Sequence, residues 1–253
     1  MKDPFALPGR AEIIAHRGYS ARAPENTVVA LEAGLDAGAD AVEFDLHTAG
    51  DGTPVLMHDA SLRRTTNGRG RVTRRSIEQL ATLDAGSWFA EEFAGEPVPT
   101  LGAALKSVGG RAHRIYAELK GWRDIDDLAA VVAEVAQHDL LEATVFISMS
   151  WDGLTRVRVA EPAARIGYIV DKRSRADEAL ERASGDALAL LDFDARILLS
   201  EPELAERAHA AEVALATWTV DTVGDARTLL SMGVPRITTN QVATLVRWRD
   251  ALD

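Results

Sequence analysis

Ala41-Val42-Glu43-Phe44-Asp45-Leu46-His47-Thr48-Ala49-Gly50-Asp51-Gly52-Thr53-Pro54-Val55-Leu56-Met57-His58-Asp59 reads as a strand, a tight turn and a returning arm. The run Ala41–Leu46 is apolar and bounded by polar positions, as a strand buried on both faces should be. Gly50-Asp51-Gly52 supplies the residue types of a short hairpin connection. With the turn centred near Asp51, His58 folds back roughly opposite Phe44, beside Glu43 and Asp45.

Outward from this stretch, short β-type runs alternate with amphipathic ones. Further strands are expected at Glu12–Ala15, Ile115–Leu119, Thr144–Ser148, Arg165–Val170, Ala187–Leu191, Val213–Thr219 and Arg236–Thr239. Helical stretches between them include Thr27–Ala37, Asp124–His138, Trp151–Ala160, Glu201–Ala211 and Thr222–Met232. Asp124 and Thr222 stand where N-caps are wanted, Gly38 and Gly233 where helices stop. This alternation predicts an α/β fold, a closed TIM (β/α)8 barrel, although an open doubly wound sheet would give a similar pattern. Residues 1–253 read as a single barrel domain with a small insertion after the second strand. The insertion covers about 60–100, carries Trp88, Phe89 and Phe93, and is too long for a simple βα loop.

With 253 residues and 47% apolar content, the chain can bury one sizeable core. Its net charge of −11 argues against a general nucleic-acid-binding surface. The basic stretch Arg63 to Arg75 reads as a solvated loop. The absence of cysteine excludes disulfides, thiolate zinc sites and a cysteine nucleophile. Met1-Lys2-Asp3-Pro4-Phe5 has no apolar leader region, and no window is long and apolar enough to span a bilayer. The expectation is a cytoplasmic protein with no stable membrane association; its oligomeric state stays open.

The chemistry is concentrated at strand ends. Glu43 and Asp45, two apart on a strand, point the same way, into a barrel interior where unpaired carboxylates are costly. A hard divalent ion bound through oxygen would remove that cost, Mg²⁺ or Ca²⁺ before Mn²⁺. Glu118 could add a third oxygen. The other reading is a structural carboxylate–arginine network. His47 shares the parity of the pair and could ligate, or be a loop-bonded histidine. His16 and His58 each close a strand run beside a charged residue, and paired histidines can supply the base and the acid of phosphodiester cleavage. Arg17 suits forked contacts with phosphate, and Lys120 suits balancing developing charge. Pro24 and Thr27 read as structural, whereas Glu25 and Asn26 could brace the mouth. Trp218 and Trp151 are either packing residues or walls against a small polyol.

These residues resemble the glycerophosphodiester phosphodiesterase family. The likeness rests on His16-Arg17-Gly18, Pro24-Glu25-Asn26-Thr27, Glu43-Phe44-Asp45, Asp51-Gly52-Thr53-Pro54-Val55, His58-Asp59 and Glu118-Leu119-Lys120. Thr65-Thr66-Asn67-Gly68, Leu83–Phe89, Pro99-Thr100-Leu101 and Trp218-Thr219-Val220-Asp221 extend it from about Ile13 to Val242. The resemblance implies a TIM barrel with an insertion after its second strand, and a divalent cation on Glu43, Asp45 and Glu118. It implies His16 and His58 as the acid–base pair, with Arg17 and Lys120 on phosphate. It implies a small-molecule glycerophosphodiester cleaved to sn-glycerol 3-phosphate and an alcohol. Related lipid-cleaving enzymes are the nearest rival: a lysophospholipase D, a sphingomyelinase D-like enzyme or a phosphatidylinositol-type phospholipase C. A non-catalytic glycerophosphodiester-binding barrel and a sugar isomerase are more distant ones. Ile237-Thr238-Thr239-Asn240-Gln241-Val242 and Leu191-Asp192-Phe193-Asp194 lack prolines common in the family. These departures are expected to bear on substrate preference and not to touch the acid–base or metal set.

Overall fold

The computed structural model describes Phe5 and residues 10–252. The stretch Met1–Pro4, read above for a leader, lies outside the described residues. Eight parallel strands close into a barrel: β1 (Glu12–Ala15), β2 (Ala41–Thr48), β4 (Arg114–Gly121), β5 (Thr144–Ser148), β6 (Arg165–Val170), β7 (Ala189–Asp194), β8 (Ala214–Trp218) and β9 (Arg236–Thr239). Closure comes from β1, which pairs with β9 over Glu12↔Arg236 to Ala15↔Thr239 and with β2 at Ile14↔Ala41 and Ala15↔Val42. The helices are α1 (Val28–Asp36), α2 (Ile77–Leu80), α3 (Leu101–Val108), α4 (Asp127–Gln137), α5 (Trp151–Ala160), α6 (Ala176–Ala183), α7 (Ala195–Ser200), α8 (Glu203–Ala210), α9 (Val223–Ser231) and α10 (Val242–Asp250).

The twofold alternation of strands divides the core. Ile13, Ala15, Val42, Phe44, Leu46, Ala117 and Leu119 pack outward among the helices. Ile14, Ala41, Tyr116, Val145, Ile147, Ile169, Leu190 and Ala216 fill the barrel with Phe5. Fully burying a side chain such as Phe44 contributes about 1.5–3 kcal/mol. Parity therefore turns Glu43, Asp45, Glu118 and Lys120 inward above the apolar floor of the barrel.

The expected hairpin is present. Strand β3 (Pro54–Leu56) runs antiparallel to β2 with Leu46↔Leu56 and Thr48↔Pro54. Because β1 stops opposite Val42, the upper edge of β2 on that side is free, and β3 occupies it. Met57 N–H continues the ladder to the Asp45 carbonyl at 3.0 Å, so His58 follows opposite Phe44, just above the end of β1. The residues beyond it fold on a small core shared with the hairpin, built from Ala49, Val55, Met57, Leu62, Val72, Leu80, Ala85 and Val98.

Several boundaries differ from expectation, and two of them have a local cause. The strand expected at Ala187–Leu191 begins instead at Ala189, because Asp186 accepts a hydrogen bond from Leu188 N–H at 2.9 Å and holds a turn there. Helix α4 begins at Asp127 and not after Asp124. Asp124 accepts from Asp126 N–H at 3.0 Å in a local turn. The Asp127 carboxylate takes Thr48 hydroxyl at 3.0 Å and Arg123 Nη2 at 2.7 Å. Thr222 does cap α9, accepting from Asp225 N–H at 3.1 Å. No helix among the described residues is long and apolar enough to cross a membrane.

Candidate active site

Register places Asp45 beside Glu118 on neighbouring strands, with Glu43 one inward position below. One carboxylate oxygen from each of the three lies within 4.8 Å of the others, a group that could hold a metal ion. The loop after β1 closes one side. Arg17 N–H donates to Glu43 Oε2 at 2.8 Å. Asn26 and Asp45 pair reciprocally, Asn26 Nδ2 donating to Asp45 Oδ2 at 2.7 Å and Asp45 N–H donating to Asn26 Oδ1 at 3.0 Å. This turn needs left-handed backbone at Arg17 (φ 54°), Gly18 (φ 79°) and Asn26 (φ 58°). At Gly18 a Cβ would sit 2.3 Å from the Ala30 carbonyl carbon, so glycine is required there.

Two cationic side chains face the three acids. Arg17 Nε lies 3.2 Å from Asp45 Oδ2, and Lys120 Nζ donates to Glu118 Oε1 at 3.0 Å while standing 3.8 Å from Asp45 Oδ1. Glu43 Oε1 and Asp45 Oδ1 are buried without a hydrogen-bond partner. Burial, with the charges of Asp45 and Glu118, holds the Glu43 carboxyl well above its ordinary range. Burial, together with Asp45, pushes Glu118 up to about 7. Burial opposes ionisation of Asp45 as well, but Arg17, His58 and Lys120 bring it below its usual value. Three carboxylates this close cannot all ionise without further positive charge. The all-oxygen donor set and the two partnerless oxygens fit a hard divalent cation.

Both histidines at the rim have fixed tautomers. His16 Nδ1 lies 2.7 Å from Asn240 Oδ1, and Asn240 Nδ2 donates to Asp221 Oδ2 at 2.8 Å, so the amide oxygen must face the ring. Nδ1 therefore carries the proton, and Nε2 looks toward Glu43 Oε2 at 3.9 Å. Burial, then the charge of Arg17, lowers the His16 pKa to about 4. His58 Nδ1 donates to Asp59 Oδ1 at 2.7 Å, which leaves its Nε2 free of that bond.

The remaining expected residues divide. Trp218 ends β8, with Nε1 donating to the Asp192 carbonyl at 3.3 Å and its ring against the inner core. Trp151 is not brought to the mouth. It packs in the outer core under the Arg175 guanidinium, 4.0 Å from the ring centroid, and edge-on to Tyr168 at 5.7 Å. The register shift beside Leu46 puts its extra residue, Lys120, on β4, while His47 keeps the regular alternation of β2 and pairs with Val55. Its ring lies against Gly121 and bonds the His58 carbonyl through Nε2 at 3.2 Å.

Several contacts of the site join residues far apart in sequence. Asn240 was expected to stand apart from the acid–base set; it holds His16 directly. Arg64, in the basic stretch expected to be a solvated loop, bonds both Glu25 and Asp59. Asp192, buried and facing inward, has its pKa raised by burial and by Glu118. Asn240 directly follows the last strand, as His16 follows the first, and that position is the signal available for it; no local pattern marks Arg64 or Asp192.

Comparison with known proteins gives this geometry a lineage. The sequence profile of the Glycerophosphoryl diester phosphodiesterase family matches residues 16–244. The chain belongs to that family. A glycerophosphodiester phosphodiesterase from Caldanaerobacter subterraneus subsp. tengcongensis is 31% identical over 238 residues, covering 92% of this chain and 96% of the relative. One from Bacillus subtilis is 31% identical over 251 residues, covering 92% and 84%. Among solved structures, an Oleispira antarctica phosphodiesterase in complex with the product sn-glycerol-3-phosphate superposes with TM-score 0.81 at 30% identity, covering 92% and 94%. A glycerophosphodiester phosphodiesterase from Agrobacterium tumefaciens gives TM-score 0.81 at 28% identity, covering 94% and 99%. The chain is an enzyme of this class, with the family's TIM barrel and its hydrolysis of glycerophosphodiesters.

Proposed function

We propose that the chain hydrolyses water-soluble glycerophosphodiesters to sn-glycerol 3-phosphate and an alcohol, using one divalent cation and the His16/His58 pair. The observation that supports this best is the pair of buried, partnerless oxygens on Glu43 and Asp45, set between two histidines whose tautomers are fixed. The product in the Oleispira antarctica structure is the one this reaction would release. Glu43, Asp45 and Glu118 would hold the cation. When bound, it would draw charge from a phosphoryl oxygen and help orient the diester.

The chain's own groups do the rest. One histidine Nε2 takes the proton of the attacking oxygen as the new P–O bond forms. The other gives a proton to the alkoxide that leaves as the old P–O bond breaks, so the net reaction consumes one water. Fixed Nδ1 partners turn each Nε2 to its task without reorganisation. Lys120 spends one donor on Glu118 and keeps the others for phosphate oxygens. Arg17, steered by Glu25 and Asp45, presents its guanidinium from the opposite side.

The test is release of glycerol 3-phosphate from glycerophosphocholine, glycerophosphoethanolamine and glycerophosphoglycerol, read by coupled dehydrogenase with Mg²⁺, Ca²⁺ or Mn²⁺ present. Release from at least one diester is expected. Folded protein that releases none, but cleaves a lysophospholipid, would move the substrate class to lipids.

A further inference from the structure

The insertion does more than cover the barrel. Its Arg64 guanidinium donates to two carboxylates at once. Nη1 and Nη2 reach Glu25 Oε2 and Oε1, each at 2.8 Å. Nε reaches Asp59 Oδ2 at 2.8 Å, and Nη2 also reaches Asp59 Oδ1 at 3.1 Å. Each carboxylate is in turn the partner of a rim residue. Asp59 holds His58 Nδ1 at 2.7 Å, and Glu25 takes Arg17 Nη1 at 2.9 Å.

The backbone that presents Arg64 is anchored on both sides. Leu62 is buried in the insertion core, and its N–H bonds the Gly70 carbonyl at 3.0 Å. Thr66 hydroxyl returns to the Leu62 carbonyl at 2.5 Å, and Thr65 hydroxyl meets Met57 Sδ at 3.3 Å. Met57 is the residue before His58, so the arm with the histidine and the loop with Arg64 share one small core.

We infer that Arg64 is a positioning residue for catalysis, a strap from the insertion that fixes the carboxylate partners of His58 and Arg17. An exposed single ion pair contributes little. Here a planar fork spans two carboxylates, a geometry that ammonium cannot reproduce. Removing it leaves Glu25 and Asp59 without their shared cation and frees Asp59 to swing, taking the His58 ring with it. Arg17 keeps its own contacts to Glu25 and Asp45, so the effect falls on turnover more than on binding. The inference rests on His58 acting as an acid–base group.

The experiment compares wild type, Arg64→Ala and Arg64→Lys on the three glycerophosphodiesters, and repeats Arg64→Ala in an Asp59→Asn background. With the fold checked by circular dichroism, kcat should fall about 10–100-fold in Arg64→Ala, with KM changed far less. Added guanidinium, below denaturing concentration, should restore part of the loss. In the Asp59→Asn background the same substitution should cost less than about twofold, because the two act through one path. An equal loss in both backgrounds, or wild-type kcat in Arg64→Ala, overturns the inference. A second readout is independent of turnover: the His58 ring Nδ1 proton, followed by ¹⁵N NMR, should exchange faster in Arg64→Ala. If wild type cleaves no diester yet this proton is lost in the variant, the positioning role stands and the reaction assignment falls. If it is unchanged, the positioning role falls.

Discussion

The two ends of the barrel both bury charge, and they resolve it differently. At the floor, Glu12 accepts from Tyr116 hydroxyl at 3.1 Å and lies 3.8 Å from Arg236 Nε. The guanidinium carbons of Arg114 and Arg236 stand 5.9 and 5.6 Å from the Phe5 ring centroid. One acid there sits among two arginines, a tyrosine and an aromatic face, as a structural network would. At the mouth, three acids face two cationic side chains, and Glu43 Oε1, Asp45 Oδ1 and the nearby Asp192 Oδ1 have no donor. Glu12 Oε1 also lacks a donor, so the two ends differ in charge: one acid set between two arginines at the floor, three clustered acids against two cationic side chains at the mouth. Unmet charge inside a closed barrel marks the end that works on a ligand.

If this division is right, substitutions at the two ends should fail in different assays. His16→Ala or His58→Ala should lower kcat by about 10²–10⁴-fold with the thermal midpoint little changed. Parent-rate turnover by either variant would remove that histidine from the chemistry. Arg236→Met should do the reverse. Loss of a buried partner of Glu12 should destabilise the fold by roughly 3–5 kcal/mol in denaturant titrations, with activity per folded molecule retained. Unchanged stability would mean the floor does not depend on that pair.

The floor also has a pH signature. Burial, against the pull of Arg236 and Arg114, raises Glu12 to about 7 from 4.5. A raised folded-state pKa stabilises fully below 4.5 and loses that contribution as pH rises through 7. Stability of wild type relative to Glu12→Gln should therefore fall by at most about 3 kcal/mol across that window. A flat difference would show that Glu12 keeps its proton, or gives it up, equally in both states. The smallest effect expected is at Trp151. Its ring packs beneath Arg175, so Trp151→Phe should cost on the order of 1 kcal/mol of stability and leave kcat/KM within about twofold. A clear rise in KM would return Trp151 to the substrate site.

Much of the barrel was legible because strand parity is a local signal. Glu12–Ala15, Thr144–Ser148, Arg165–Val170 and Arg236–Thr239 match the structure end for end. Glu43 and Asp45 share a face for the same reason, and the Gly50-Asp51-Gly52 turn brings His58 back to them. What escaped depends on distant pairing. His47 keeps the parity of the acids, yet its ring bonds the His58 carbonyl that the returning arm supplies. Asn240 meets His16 only because β9 pairs with β1, 224 residues away in sequence. Arg64 looks like one more arginine in a basic loop until the insertion folds over Glu25 and Asp59. Trp151 follows a strand end, yet the first turn of α5 directs it outward.

The central claim is that the mouth's excess of carboxylates is met by a divalent ion on which hydrolysis depends. The direct measurement is to strip the protein with EDTA, titrate Mn²⁺, Mg²⁺ or Ca²⁺ by calorimetry, and follow glycerol 3-phosphate release on the same samples. One bound ion per chain is predicted, with turnover returning in proportion to occupancy and both lost in Glu43→Gln. Full turnover in EDTA, or ion binding that survives in Glu43→Gln, would contradict it.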